Sequence, residues 1–225
     1  MFNLFINDIT LFLKSSSLSN YSDDNTISAF ENTLKELINT LEKESNIAIE
    51  WLGVNDMIAN PDKFQAIIIN RNPKKCPINE HVIKINEHII TSQNCVTLLG
   101  MDIDDQLTFT KHIKTKMRNA AGQLNYLNTK EKFLNPEAKK VLIESFIMSN
   151  FNYCPLVWMF CNSKLKRIQE NIQKRALRFL LNDYESNYEQ LLEKSNKSTI
   201  EIRNLQTLAT EIFKTINNLN APYMK

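Results

Sequence analysis

Glycine is nearly absent: three residues in 225. Phosphate-cradling loops of the P-loop and dinucleotide type need several glycines at fixed spacing, so both are excluded. Cysteine is scarce as well. Cys76, Cys95, Cys154 and Cys161 form no Cys-x-x-Cys pair, and His81, His88 and His112 complete no zinc-finger spacing. They read as reduced, partly buried thiols of an intracellular protein, cytoplasmic or nuclear. Long apolar runs are missing too. The stretch from Ile147 to Cys161 is interrupted by Asn150, Asn152 and Pro155 and is too short to span a bilayer. The apolar start, Met1 to Ile9, carries Asn3, Asn7 and Asp8, which break the pattern of a signal peptide, and none is expected. No membrane partner is expected.

What is present fits a globular chain: 43% hydrophobic and 23% charged residues over a length that builds one or two cores. The net charge of +2 hides a segregation. Met1–Asp105 holds 8 basic and 15 acidic residues, whereas Gln106–Asn182 holds 14 basic and 4 acidic. A polyanion partner is expected for the second segment.

The focal stretch is Asn20-Tyr21-Ser22-Asp23-Asp24-Asn25-Thr26-Ile27. Two like charges at a hairpin tip repel each other and need solvent or a cation. Hard cations such as Mg²⁺ accept one or two carboxylates together with substrate phosphates. A solvated Asp-Asp-Asn turn is the other reading of the same residues. Ser28-Ala29-Phe30-Glu31 has the form of a capping box and predicts a helix, with Ile27, Phe30, Leu34, Leu37, Ile38 and Leu41 on one face. A second helical stretch with Ile47, Ile49, Trp51 and Leu52 follows the polar Glu42–Asn46. Asn60-Pro61-Asp62-Lys63 is a turn that feeds a β-branched strand, Phe64 to Ile69. Lys63 there is either a solvated turn lysine or a phosphate contact or proton donor. Arg71 to Pro77 reads as a basic loop. A hairpin turns near Asn86-Glu87, and Val96 to Ile103 reads as one strand with a bulge at Gly100.

From Gln106 the apolar period becomes helical. Phe109, Ile113, Met117, Ala120, Leu124 and Leu127 share a face, and Asn135-Pro136-Glu137 opens the next helix with Val141, Leu142 and Phe146 on its core side. A loop with Tyr153, Pro155, Trp158 and Phe160 follows. The helix after Asn162 has an apolar stripe of Leu165, Ile168, Ile172, Ala176 and Phe179. Lys164, Arg167, Lys174, Arg175 and Arg178 oppose it, as a solvated face or a phosphate-binding one.

In this order the features resemble the C-terminal palm and thumb part of a reverse transcriptase from a LINE-type, non-LTR retrotransposon of the jockey-like kind. Phe2 to Ile9 is similar to the segment after that family's Gly-rich template-positioning motif. Tyr21-Ser22-Asp23-Asp24 resembles its catalytic hairpin, Asn60-Pro61-Asp62-Lys63 its later palm motif, and Leu98-Leu99-Gly100 its primer grip. Lys111 to Leu181 is similar to its thumb. The resemblance implies an α+β fold: a partial polymerase palm of β-hairpins plus helices over residues 1–105, an all-α thumb over 106–182, and a helical C-terminal extension over 183–225. It implies RNA-directed DNA polymerase (nucleotidyltransferase) chemistry. Asp23 and Asp24 would hold Mg²⁺, Lys63 would face the deoxynucleoside triphosphate, and Leu99 with Gly100 would meet the primer end. Tyr21 and the five cations of the basic helix would contact an RNA template and RNA–DNA duplex. The family's metal-binding Asp of an earlier palm strand and its Gly-rich motif have no counterpart. The expectation is therefore a fragment inactive by itself, with weak or absent metal binding. The alternative is a non-enzymatic duplex-binding module derived from the thumb.

Overall fold

The computed structural model describes residues 5–70 and 81–219. The basic loop expected from Arg71 to Pro77 and the first four residues of the apolar start lie outside them. The chain divides into two compact units, Met1–Leu107 and Thr108–Lys225. Among the described residues, the first contains three antiparallel hairpins and one long helix, and the second contains helices only. This is the expected α+β fold. No helix of the described residues is long and apolar enough to cross a membrane.

In the first unit, strands β1 (Ser17–Tyr21) and β2 (Asp24–Ser28) pair with Tyr21 opposite Asp24 and Ser17 opposite Ser28. Helix α1 (Leu34–Val54) lays Ala48 and Trp51 on Ile6, Ile9 and Leu13, the buried part of the apolar start. The Phe5 and Trp51 rings stand 6.1 Å apart in a tilted pair. Glu44 of α1 is buried and satisfied, accepting from the Lys14 amide at 2.9 Å and the Ser16 hydroxyl at 3.0 Å. A buried carboxylate needs such partners, and here they fix the chain where it enters β1.

The helix does not begin at the expected capping box. Ser28 is the last rung of β2, and Phe30 is 88% exposed. The same signature recurs at Thr33-Leu34-Lys35-Glu36. There the Thr33 hydroxyl accepts from the Glu36 amide at 3.2 Å and donates to the Glu36 carboxylate at 2.7 Å. Strand pairing claims the first signature and leaves the second to start α1. The helix is also single, running 21 residues through the polar stretch. Glu42 and Asn46 accept from the amides of Lys84 (2.7 Å) and Asn86 (2.6 Å), so these polar residues serve the neighbouring strand.

β3 (Val82–Ile85) and β4 (His88–Thr91) form the hairpin expected at Asn86-Glu87. The strand expected over Phe64–Ile69 is reduced to one isolated bridge, Ala66 to Ser92. Each neighbouring hairpin pairs only within itself, and this stretch meets them through that single bridge. Val96–Ile103 is likewise not one strand. β5 (Cys95–Leu98) and β6 (Met101–Asp104) pair across Leu99-Gly100. Leu99 and Gly100 have φ of +49° and +76°. Positive φ at both central residues is the two-residue turn whose twist suits a hairpin, which is why glycine stands there.

The second unit contains α2 (Thr110–Thr129), α3 (Pro136–Leu142), α4 (Ser149–Asn152), α5 (Ser163–Leu181), α6 (Tyr188–Ser195) and α7 (Ile200–Ile216). A π-helical segment, Ile143–Met148, joins α3 to α4, and a 3-10 segment, Pro155–Phe160, precedes α5. Asn135 and Asn162 cap α3 and α5 through their side-chain oxygens, at 2.8 Å and 3.0 Å. Ile113, Met117, Ala120, Leu124 and Leu127 of α2 are buried as expected.

Two stripes differ from expectation. Val141 and Phe146 are exposed, and the inward row is Lys139, Ile143, Ile147 and Phe151, at i, i+4 spacing. Val141 and Phe146 belong to a second apolar row that the same sequence offers. On α5, Ile168 is exposed and Leu165 half-buried, while Gln169 and Gln173 are buried beside Ile172, Ala176, Leu177 and Phe179. The C-terminal helices cause this rotation. Gln173 donates to the Ser198 carbonyl at 2.8 Å and accepts from Arg203 at 2.9 Å.

Candidate nucleic-acid interface

The acidic hairpin turns through Ser22, at φ +57°, and Asp23; Asp24 opens β2 opposite Tyr21. Asp23 and Asp24 are exposed, and Tyr21 is 68% exposed. Their oxygens suit a hard cation. Among the described residues, however, no group of three or more His, Cys, Asp or Glu is placed to hold a metal. Lys63 ends an exposed 3-10 turn, Pro61–Lys63, whose start is fixed by the Asn60 side chain accepting from the Asp62 amide at 3.1 Å. Among the described residues no ion pair joins Lys63 to Asp23 or Asp24. Leu99 and Gly100 form the exposed tip of the β5–β6 hairpin.

The second unit gathers charge differently. At 100° per residue, Lys164, Arg167, Lys174, Arg175 and Arg178 fall within an arc of about 100° on α5. Lys164, Arg167 and Arg175 are exposed, and Lys174 and Arg178 half-buried. The Arg178 Nε is buried with no hydrogen-bond partner among the described residues. Arg175 reaches α2, donating to the Asn125 side chain at 2.6 Å. Between α2 and α5 lies a groove of about 300 Å³ lined by Met117, Arg118, Ala121, Ile168, Ile172 and Arg175. It is floored by apolar side chains and edged by two guanidinium groups.

Arg118 is a residue that sequence reasoning missed. The signal was present: Lys114 and Arg118 are four apart, and Asn125 lies seven beyond Arg118 on the same side. α2 contains no Asp or Glu at all.

Eleven of this unit's cations contrast in their pairing. Lys139, Lys166, Lys194, Lys197 and Lys214 pair with Glu131, Glu201, Asp183, Glu144 and Glu211. Among the described residues no acidic side chain pairs with Lys114, Arg118, Lys164, Arg167, Lys174 or Arg175. At the groove itself, Arg118 and Arg175 have no acidic partner among the described residues.

The perturbed acids and bases lie elsewhere and serve structure. Hydrogen bonds from Lys194 and Ser186 hold the Asp183 carboxyl well below the usual carboxylate range. Burial, then the hydrogen bond to Glu170, raises the Tyr188 phenol, and burial lowers the Arg203 guanidinium. Burial pushes the Cys161 thiol up to about 11, which makes it a poor nucleophile.

No protein-family model matches the chain, and no solved structure does. The chain is similar to the "Probable RNA-directed DNA polymerase from transposon X-element" of Drosophila melanogaster. The two are 24% identical over 182 residues, covering 77% of this chain and 19% of that protein. The chain thus spans about a fifth of the length of the curated relative it matches. The similarity is distant and supports a reverse-transcriptase-related origin.

Proposed function

We propose that the chain is the palm and thumb portion of a LINE-type, jockey-like retrotransposon reverse transcriptase, and that its second unit grips an RNA–DNA duplex. The observation that carries this reading is the segregation of charge. Among the described residues, six cations without acidic partners stand on α2 and α5, and two of them, Arg118 and Arg175, edge the groove between these helices. Such a face neutralises phosphates and tracks duplex shape, with little dependence on base sequence.

In this reading Asp23 is a Mg²⁺ ligand and Asp24 a second acidic contributor. Lys63 faces the triphosphate, Tyr21 the nucleic acid, and Leu99 with Gly100 the primer end. The protein works inside the cell, in the cytoplasm or nucleus, where template and nucleotides are found. The donor set at the hairpin favours binding over chemistry for this chain alone, because two adjacent carboxylates do not complete a two-metal site.

Two measurements on the full chain test this. A labelled RNA–DNA hybrid should bind at low salt, whereas primer extension with Mg²⁺ and nucleotides should give no product. Absence of hybrid binding overturns the duplex reading. Robust extension that disappears in Asp23→Ala overturns the inference of an incomplete site.

A further inference from the structure

Helix α7 is turned inside out. Its polar side faces its own unit: Asn204 is buried, and Arg203 donates to Gln173 at 2.9 Å and to Asn152 at 3.3 Å. Thr207, Glu211 and Lys214 on the same side are half-buried. The apolar side is left in solvent. Ile202, Leu205, Ile212, Phe213 and Ile216 are 47–74% exposed, and Ala209 is exposed among them. An amphipathic helix ordinarily does the reverse.

The exposed residues also keep a register. Ile202, Leu205, Ala209, Ile212 and Ile216 recur at intervals of three, four, three and four. That is the a/d repeat of a coiled-coil seam, with Ile202, Ala209 and Ile216 at a and Leu205 and Ile212 at d.

We propose that this face docks a second copy of the chain, as a parallel two-stranded coiled coil along α7. Three observations favour a copy of itself. First, an a/d seam is self-complementary, as a two-fold interface must be. Second, the flanking e and g positions within α7 are Glu201, Gln206, Leu208, Phe213 and Thr215. Their single charge, Glu201, is already paired with Lys166 at 2.7 Å, so two copies meet without repulsion. Third, the surface available from these side chains is on the order of 600 Å² per copy, approaching the roughly 800 Å² per partner of a standard specific interface. The remaining positions, b, c and f, point away from a two-stranded seam. Arg203, Asn204, Thr207, Glu211 and Lys214 at these positions are turned to α7's own unit, so docking leaves their packing in place.

The test is sedimentation equilibrium of the full chain at about 100 µM, where a Kd of about 10 µM leaves most of it dimeric. The wild type should sediment as a dimer. Leu205→Glu/Ile212→Glu should be monomeric with an unchanged melting curve, because both side chains are exposed in the single chain. Ala209→Leu, which enlarges the seam at its centre, should tighten the dimer by about tenfold. A monomeric wild type overturns the proposal and leaves the face to a different occupant. A dimer that survives the folded Leu205→Glu/Ile212→Glu variant overturns it equally.

Discussion

Lys139 is 3% exposed, and its ammonium is held on every side. It donates to Glu131 at 2.9 Å, to the Phe179 carbonyl at 3.2 Å and to the Asn182 side chain, and it lies 4.6 Å from the centre of the Phe179 ring. Phe179 and Asn182 mark the C-terminal end of α5, where a cation also meets the negative end of the helix dipole. One side chain therefore ties α3, the turn at Glu131 and the end of the basic helix together. Lys139→Ala removes the stem and leaves a buried carbonyl unpaired. Breaking a buried charged contact costs about 3–5 kcal/mol. Glu131 keeps about a third of its side-chain surface in water, so part of its charge is recovered. The loss should be about 2–4 kcal/mol. Lys139→Met keeps the packing of the stem and removes the cost of burying an ammonium, so it should lose only about 1–2 kcal/mol. Urea unfolding followed by circular dichroism measures both, and the order Ala worse than Met is as diagnostic as the size. A loss below about 0.5 kcal/mol for Lys139→Ala, the range of an ordinary surface change, would refute the reasoning.

The Asp183 carboxylate is stabilised by Lys194 and Ser186, so its folded pKa lies below its unfolded value near 3.9. Its contribution is complete above that value and is lost as pH falls through the folded pKa. The NMR-detected titration of Asp183 should therefore finish well below pH 3.9, and an ordinary midpoint would contradict the contact. Gly100 sits at φ +76° with open space where a Cβ would go. Gly100→Ala should cost about 1 kcal/mol from backbone strain alone; thermal melting that shows no change would mean the turn has another form.

The parts of the fold legible in the sequence are those where one local signal acts unopposed. Asn135-Pro136 and Asn162 cap helices because nothing competes for their side chains. The row Ile113 to Leu127 is the single apolar face of α2. Local pattern does not decide the structure where two signals overlap. Ser28-x-x-Glu31 and Thr33-x-x-Glu36 are the same signature, and only pairing with Ser17 decides between them. The α3 region offers two apolar rows, and the row carrying Lys139 is buried because its ammonium finds partners far along the chain. The rotation of α5 toward Gln169 and Gln173 depends on Arg203 and Ser198, which no local pattern reveals. The candidate site shows the same limit. The basic row of α5 was plain from its spacing. That Arg118 joins it is a fact of how α2 lies against α5.

The central claim is that the cations of α2 and α5 bind a duplex through its phosphates, and its salt dependence tests that most directly. The affinity of the full chain for an RNA–DNA hybrid would be titrated against salt for the wild type and for Arg118→Gln/Arg167→Gln/Arg175→Gln. Each phosphate contact contributes about 0.7–0.9 to the slope of log affinity against log salt. The triple variant should therefore bind with a slope shallower by about two to three, with an unchanged melting temperature, since Arg118, Arg167 and Arg175 are all exposed. Coincident slopes for the two proteins would show that this face does not touch nucleic acid.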